Sequence, residues 1–72
     1  MVLANAQKGN RHCVSEILAS GAVQGKLASM GLVPGSEVEI LQSSLHGAAI
    51  VLCRGAQLVL GRGLAQMIQL ED

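Results

Sequence analysis

The sequence has 72 residues, with five basic and five acidic side chains and no Phe, Tyr or Trp. A chain of this length forms one small domain, and its core must be aliphatic. Scattered charges without aromatic side chains argue against the basic stripe and stacking surface of nucleic-acid-binding proteins. The apolar runs are too short to span a bilayer. We therefore expect residues 1–72 to form a single domain that neither binds nucleic acid nor inserts into a membrane.

The N-terminal residues, MVLANAQKGNRH, lack the basic segment and apolar block of a secretory signal. The two cysteines, Cys13 and Cys53, are too few for a disulfide scaffold. These features predict a cytoplasmic protein in which both thiols are reduced.

The first predicted strand covers residues 12–18. Val14 and Ile17 lie three positions apart, whereas residues two apart share one face of a strand. The pattern therefore predicts either a β-bulge or burial on both faces. A short helix is predicted to follow at residues 23–30, with Leu27 and Met30 on its buried face.

The next residues predict a helix end followed by a tight turn, and we call residues 31–36 the elbow. Gly31 suits the left-handed position after a helix, where Leu32 can pack back on the last helical turn. Pro34 prevents the helix from continuing, and Pro34-Gly35 fits the central positions of a type II turn. We expect at least one apolar side chain of the elbow to remain exposed.

The second predicted strand covers residues 36–42. Val38 and Ile40 alternate with glutamates, which is typical of a strand with one buried and one solvated face. A turn is predicted at residues 43–47, with His46 near its tip.

The second half of the chain predicts three more strands. Residues 48–54 and 57–61 are separated by a short glycine-containing segment, which predicts a β-hairpin. A glycine-rich corner with one helical turn follows at residues 60–66, and residues 67–71 form the last strand. Five short strands with one helix after the first predict a small, partly open, mainly β barrel.

Four side chains are possible metal ligands, namely His12, Cys13, His46 and Cys53. Structural zinc sites usually use closely spaced ligand pairs, and the adjacent His12 and Cys13 would point to opposite faces of a strand. The alternative is that the cysteines are small core residues and the histidines are solvated. We favour this alternative and expect no metal or other cofactor, although the sequence leaves metal binding by these residues open.

Catalytic motifs are not apparent in the sequence. A cysteine nucleophile needs a positioned base and a water-excluding site, which a chain of this size is poorly able to provide. Gly61-Arg62-Gly63 begins like a phosphate-binding loop, but the further residues of both nucleotide-binding motifs are missing. We therefore expect a non-enzymatic protein with a binding role.

Residues 26–41, KLASMGLVPGSEVEIL, resemble the FeoA family, which are small cytosolic accessory proteins of bacterial ferrous-iron transport. Residues 51–60 are similar to a hairpin of this family, and residues 65–70 to its closing strand. The N-terminal spacing also fits, at Leu3, Ala6, Gly9 and Val14. The resemblance covers nearly the whole chain and implies an SH3-like five-stranded barrel with a short helix inserted after the first strand.

The resemblance also implies a partner, FeoB, a membrane iron transporter that carries a cytosolic GTPase domain. Contact would lie near the helix and the elbow, through Lys26, Met30, Leu32, Val33 and Arg54. The family motifs in this sequence supply no iron ligands, so no bound iron is expected. The alternative is a detached relative of the SH3-like domain that ends some iron-dependent transcriptional repressors. The sequence does not give the oligomeric state.

Overall fold

The computed structural model describes residues 1–43 and 47–71. Its elements in chain order are a 3-10 helix (Leu3–Asn5), β1 (Arg11–Ile17), α1 (Gly21–Ser29), β2 (Glu37–Gln42), β3 (Ala49–Cys53), β4 (Ala56–Leu60), α2 (Arg62–Ala65) and β5 (Ile68–Leu70). The five strands form one antiparallel sheet in the order β4-β3-β2-β1-β5. The predicted mainly β class, with a short helix after the first strand, is confirmed. The predicted tip of the 43–47 turn, including His46, lies outside the described residues.

β1 is shared by both halves of the sheet, because it pairs with β2 on one side and with β5 on the other. Its register with β5 shifts between Val14 and Glu16, as a β-bulge does. The shift lets Val14 and Ile17 both be buried, although they are three residues apart. The predicted bulge is therefore confirmed, and β1 ends at Ile17, so that Leu18 is exposed.

The core is aliphatic and receives side chains from all five strands. As expected, it includes Val38, Ile40, Ile68 and Leu70. The N-terminal 3-10 helix, which the sequence did not predict, adds a fully buried Leu3. None of the helices in the described ranges is long and apolar enough to cross a membrane.

α1 begins at Gly21, two residues earlier than predicted, because Ser20 caps it. The Ser20 hydroxyl accepts a hydrogen bond from Val23 N at 3.3 Å. The Gln24 side-chain amide donates to the carbonyls of Ile17 and Ala19, at 3.1 and 2.8 Å, which joins the helix to the end of β1. Among the residues of α1, only Leu27 is buried.

The prediction that Met30 shares the buried face of α1 is wrong. The helix ends at Ser29, and Met30 is the C-cap residue with φ −98° and ψ 5°. Met30 is 42% exposed, so it does not share the buried face with Leu27.

The helix end has the hydrogen bonding of a Schellman motif. Leu32 N donates to Leu27 O and Gly31 N donates to Ala28 O, both at 2.9 Å. Gly31 has φ +89°, the left-handed conformation expected for it. Leu32 packs back into the core and has no exposed surface.

The elbow continues as the predicted type II turn. Ser36 N donates to Val33 O at 2.9 Å, and Gly35 has φ +95°. The buried Ser36 hydroxyl donates to Gly31 O at 2.9 Å and accepts from Val33 N at 3.1 Å. Gly35 N donates to Val14 O at 2.7 Å, and Val14 N donates to Ser36 O at 2.8 Å. The elbow is therefore fixed internally by Ser36 and externally by β1.

Replacing Gly31 with alanine is expected to destabilise the fold by about 1–2 kcal/mol, the cost of a left-handed residue with a Cβ. A Cβ at this position would also lie 3.0 Å from Arg54 Cδ, so the arginine stem would have to move. Gly25→Ala is the matched control, because Gly25 lies within α1 with open space around it. It should stabilise the protein by about 0.5–1 kcal/mol. Urea unfolding measures both changes. A Gly31→Ala variant as stable as the parent would contradict the left-handed conformation of Gly31 and its close approach to Arg54.

Replacing Ser36 with alanine is expected to cost about 1–3 kcal/mol, because it removes the hydroxyl that bonds both the half-buried Val33 amide and the Gly31 carbonyl. Ser36 is 7% exposed, so water cannot readily substitute for its hydroxyl. Ser29→Ala is the control, since the exposed Ser29 hydroxyl also bonds a backbone carbonyl, Lys26 O, at 2.6 Å. Its unfolding free energy should change by less than about 0.5 kcal/mol. Equal losses in the two variants would refute a special role for Ser36.

Candidate functional site

Arg54 brings the tip of a hairpin onto the elbow. β3 and β4 are joined by Arg54 and Gly55, with φ +54° and +79°, and Cys53 pairs with Ala56. Positive φ at both central residues is the geometry of a type I′ turn, which matches the twist of the paired strands. The aliphatic stem of Arg54 lies over Gly31, with Cδ 3.0 Å from the position that a Cβ would occupy.

Cys53 holds the hairpin to the elbow from the inside. Its side chain is fully buried, and Sγ lies 3.7 Å from the carbonyl oxygen of Gly31. The same oxygen accepts the Ser36 hydroxyl hydrogen bond. Gly31 is therefore covered by Arg54 on one side, and its carbonyl is bonded by Ser36 and Cys53. This arrangement explains why a glycine is needed there beyond its φ.

Three of the other predicted contact residues lie close to Gly31 in the chain. Lys26 lies four residues before Met30, so the two share one side of the helix end. Both side chains are exposed, and Val33 is half-buried. Pro34 is exposed as well. We call Lys26, Met30, Val33, Pro34 and Arg54 the elbow surface.

The predicted contact role of Leu32 is wrong as a direct contact. Leu32 is fully buried, because the Schellman motif folds it back onto Leu27. Its backbone amide is also bonded within the motif. Leu32 therefore supports the elbow surface from below. Pro34 is exposed, which confirms the expectation that at least one apolar side chain of the elbow stays at the surface.

The elbow surface combines two cations with apolar side chains. Within residues 1–43 and 47–71, neither Lys26 nor Arg54 forms an ion pair. The ion pair found in these ranges is elsewhere, between Arg11 Nε and Glu39 Oε1 at 3.5 Å. Unpaired cations beside exposed apolar groups are suited to a partner surface that carries carboxylates around an apolar centre.

The four possible metal ligands are not assembled in the described part of the chain. No group of three or more His, Cys, Asp or Glu residues there could hold a metal ion. Cys13 and Cys53 are free, and Cys53 is the small core residue that the sequence predicted. Cys13 is only half-buried. His46 lies outside the described residues, so the expectation for it stays a prediction.

The expectation that the histidines are solvated is wrong for His12. Its Nε2 atom is buried and has no hydrogen-bond partner in the described residues. His12 lies two residues before Val14 on β1, opposite Val38 of β2, and therefore on the core side of the sheet. Alternation along β1 was the signal that could have identified this position.

Sequence comparison assigns the whole chain to one family. The FeoA domain model matches residues 1–72. A protein of Methanocaldococcus jannaschii named Fe(2+) transport protein A is 34% identical over 70 residues, which cover 97% of this chain and 84% of the relative.

Two solved structures of the family have nearly the same fold. A crystal structure of an iron uptake regulatory protein (FeoA) has a TM-score of 0.89 and 31% identity, and the match covers 99% of this chain and 95% of that one. The solution structure of FeoA from Chlorobium tepidum also has a TM-score of 0.89, with 30% identity over 99% of this chain and 69% of that one. The SH3-like expectation is thereby confirmed.

A transcriptional repressor contains a similar domain within a longer chain. A manganese-dependent repressor in complex with manganese has a TM-score of 0.86 and 26% identity, covering 99% of this chain but 35% of that chain. The likeness to the repressor is thus confined to about a third of it. The FeoA domain model matches all of this chain, and the matches to the relative of M. jannaschii and to the FeoA crystal structure cover 84% and 95% of those proteins, so this chain belongs to the FeoA family.

Proposed function

We propose that residues 1–72 act as one FeoA-like domain, a non-enzymatic accessory protein of ferrous-iron transport that binds the cytosolic side of a FeoB-type transporter. Membership of the FeoA family supports the transport role. The observation that supports a binding role for this chain is the elbow surface, where Lys26 and Arg54 are exposed and unpaired in the described part of the structure. A cytoplasmic location follows from this proposal.

Pre-organisation of the elbow surface favours binding. The hydrogen bonds of Ser36 and the hydrophobic anchoring of Leu32 fix the backbone before a partner arrives. A fixed backbone loses less conformational entropy on association than a loop that orders on binding. Met30 then offers a flexible apolar side chain on this surface, and Lys26 and Arg54 offer positive charge.

Replacing Met30 with alanine is expected to weaken binding to the purified cytosolic GTPase domain of the transporter by about tenfold, because it truncates the largest exposed apolar side chain of the elbow surface. Met67→Ala is the matched control, because Met67 is 43% exposed against 42% for Met30. Met67 O accepts a hydrogen bond from Leu18 N, before the start of α1, and α1 is about 14 Å long, so this site is remote from the elbow. Calorimetric titration should therefore give Met67→Ala the affinity of the parent.

Removing the two cations, in Lys26→Gln with Arg54→Gln, is expected to lower the affinity by about fivefold to tenfold at low salt and by less at high salt. Lys8→Gln with Arg62→Gln is the control for a change of two in net charge, because both residues are exposed and lie outside the elbow surface. Absence of binding by the parent, with and without guanine nucleotide, would refute the proposed partner.

A second candidate is the regulatory module of a metal-dependent repressor, which the likeness to the manganese-dependent repressor supports. A repressor-type partner would have to supply the DNA-binding part, because this chain matches only about a third of that protein. Binding to a purified DNA-binding fragment of such a repressor, measured beside the GTPase domain, separates the two functions. Preference for the repressor fragment would favour the second candidate.

A further inference from the structure

β4 is an open edge of the sheet. It pairs with β3 on one side, and no described strand pairs with its other side. The opposite edge is different, because the N-terminus covers part of β5: Val2 forms a bridge with Gln69, and Leu70 N donates to Met1 O at 2.6 Å. The sheet therefore has one partly covered edge and one that the rest of the described chain leaves uncovered.

The hairpin register determines which main-chain groups face outward. Cys53 pairs with Ala56 across the two-residue turn, and Val51 pairs with Leu58. In such a hairpin these are the hydrogen-bonded pairs, and the intervening residues of the edge strand direct their N–H and C=O groups away from the partner strand. Gln57 and Val59 thus present their main-chain groups at the outer edge, and no described residue bonds them there.

The sequence of β4 has none of the usual protections of an edge strand. Residues 56–60, AQLVL, contain no charge and no proline, and the pairing with β3 is free of bulges. Charges, prolines and bulges are the common means by which natural edge strands avoid pairing with other chains. Val59 is 69% exposed, so the strand also presents an apolar side chain to solvent.

The surroundings of β4 are positively charged. From Gly47 to Leu70 the sequence has Arg54 and Arg62 and no Asp or Glu. Arg54 precedes the strand, Arg62 follows it, and both are exposed without an ion pair in the described residues. An occupant of the edge would therefore be favoured if it carried carboxylates beyond both ends of an uncharged stretch.

A second copy of this chain does not meet that condition. Antiparallel pairing of two β4 strands centred on Leu58 would bring Arg54 of each copy towards Arg62 of the other. Like charges placed opposite each other destabilise strand pairing. The edge is complementary to a segment of different sequence.

We propose that the outer edge of β4 binds an extended segment of a partner protein, with an uncharged alternating stretch flanked by Asp or Glu, as an added strand. Main-chain hydrogen bonds to Gln57 and Val59 would hold the segment, as in other cases of β-strand addition. Arg54 and Arg62 would select acidic flanks. This surface is separate from the elbow surface except for Arg54, and the proposal does not depend on the role in ferrous-iron transport.

The probe is a synthetic peptide, Glu-Thr-Val-Thr-Val-Thr-Glu with blocked termini, titrated into the isotope-labelled chain at low salt. Saturable changes are expected in the amide signals of Gln57 and Val59. The same peptide with Gln at both ends should bind about fivefold more weakly, because only the flanking charges differ. No saturable change at these amides with the glutamate peptide would overturn the proposal.

Two variants of Val59 separate main-chain from side-chain effects. Val59→Pro removes an outward N–H without removing a β3–β4 hydrogen bond, and should weaken peptide binding by about tenfold. Val59→Thr keeps the N–H and should stay within about twofold of the parent. Equal affinities for the two variants would overturn the proposal. If the proline variant does not fold, Arg62→Gln replaces it, and the proposal requires that this variant have a smaller preference for the glutamate peptide than the parent, because Arg54 alone remains.

Two further measurements keep this site distinct from the elbow surface. Arg62→Gln should leave affinity for the transporter GTPase domain unchanged, whereas Met30→Ala should leave affinity for the peptide unchanged.

Sedimentation of the peptide-free chain tests the alternative occupant, a second copy of this chain. A dimer that Val59→Pro dissociates and Val59→Thr does not would assign the edge to a second copy and overturn the choice of an acidic partner segment.

Discussion

The carbonyl group of Gly31 is the point on which the helix end, the turn and the hairpin all depend. Its oxygen accepts the Ser36 hydroxyl and lies within reach of the Cys53 thiol, so it joins the elbow to β3. The left-handed conformation of Gly31 directs the carbonyl to these partners and leaves space for the stem of Arg54. In a core without aromatic side chains, such directional contacts set relative positions that aliphatic packing alone defines less strictly.

The elbow surface follows from this constraint. α1 has one buried side chain, Leu27, so the helix itself supplies little of the hydrophobic burial that would fix its end. The Schellman bonds and the buried Leu32 do so instead, and they hold Met30 outward beside the fixed turn. The family role in ferrous-iron transport and the position of Lys26, Met30, Val33 and Arg54 are thus compatible with one rigid contact surface.

The two edge strands of the sheet, β5 and β4, differ in how far the rest of the described chain covers them. The N-terminal residues lie against β5, where Val2 bridges to Gln69 and Leu3 enters the core. β4 has no such cover in the described residues, and its sequence carries no charge at the edge. A small sheet that stays open at one side must either tolerate unpaired main-chain groups in water or pair them with another chain. The positive charge at both ends of β4 limits which chains can do so.

Local signals in the sequence determined much of this fold. The positions of Gly31, Pro34 and Gly35 predicted the helix end and the turn because only a few residue types adopt these backbone angles. The spacing of Val14 and Ile17 predicted a bulge or burial on both faces, and the register shift in β1 is the bulge. Whether an individual side chain is exposed or buried depended on tertiary structure. Helical periodicity placed Met30 on the buried face, but Met30 is 42% exposed, and Leu32 is buried too completely to be a direct contact. Contact between Arg54 and Gly31 joins residues 23 positions apart. No local pattern encodes such a contact, since it arises only when the hairpin packs on the elbow.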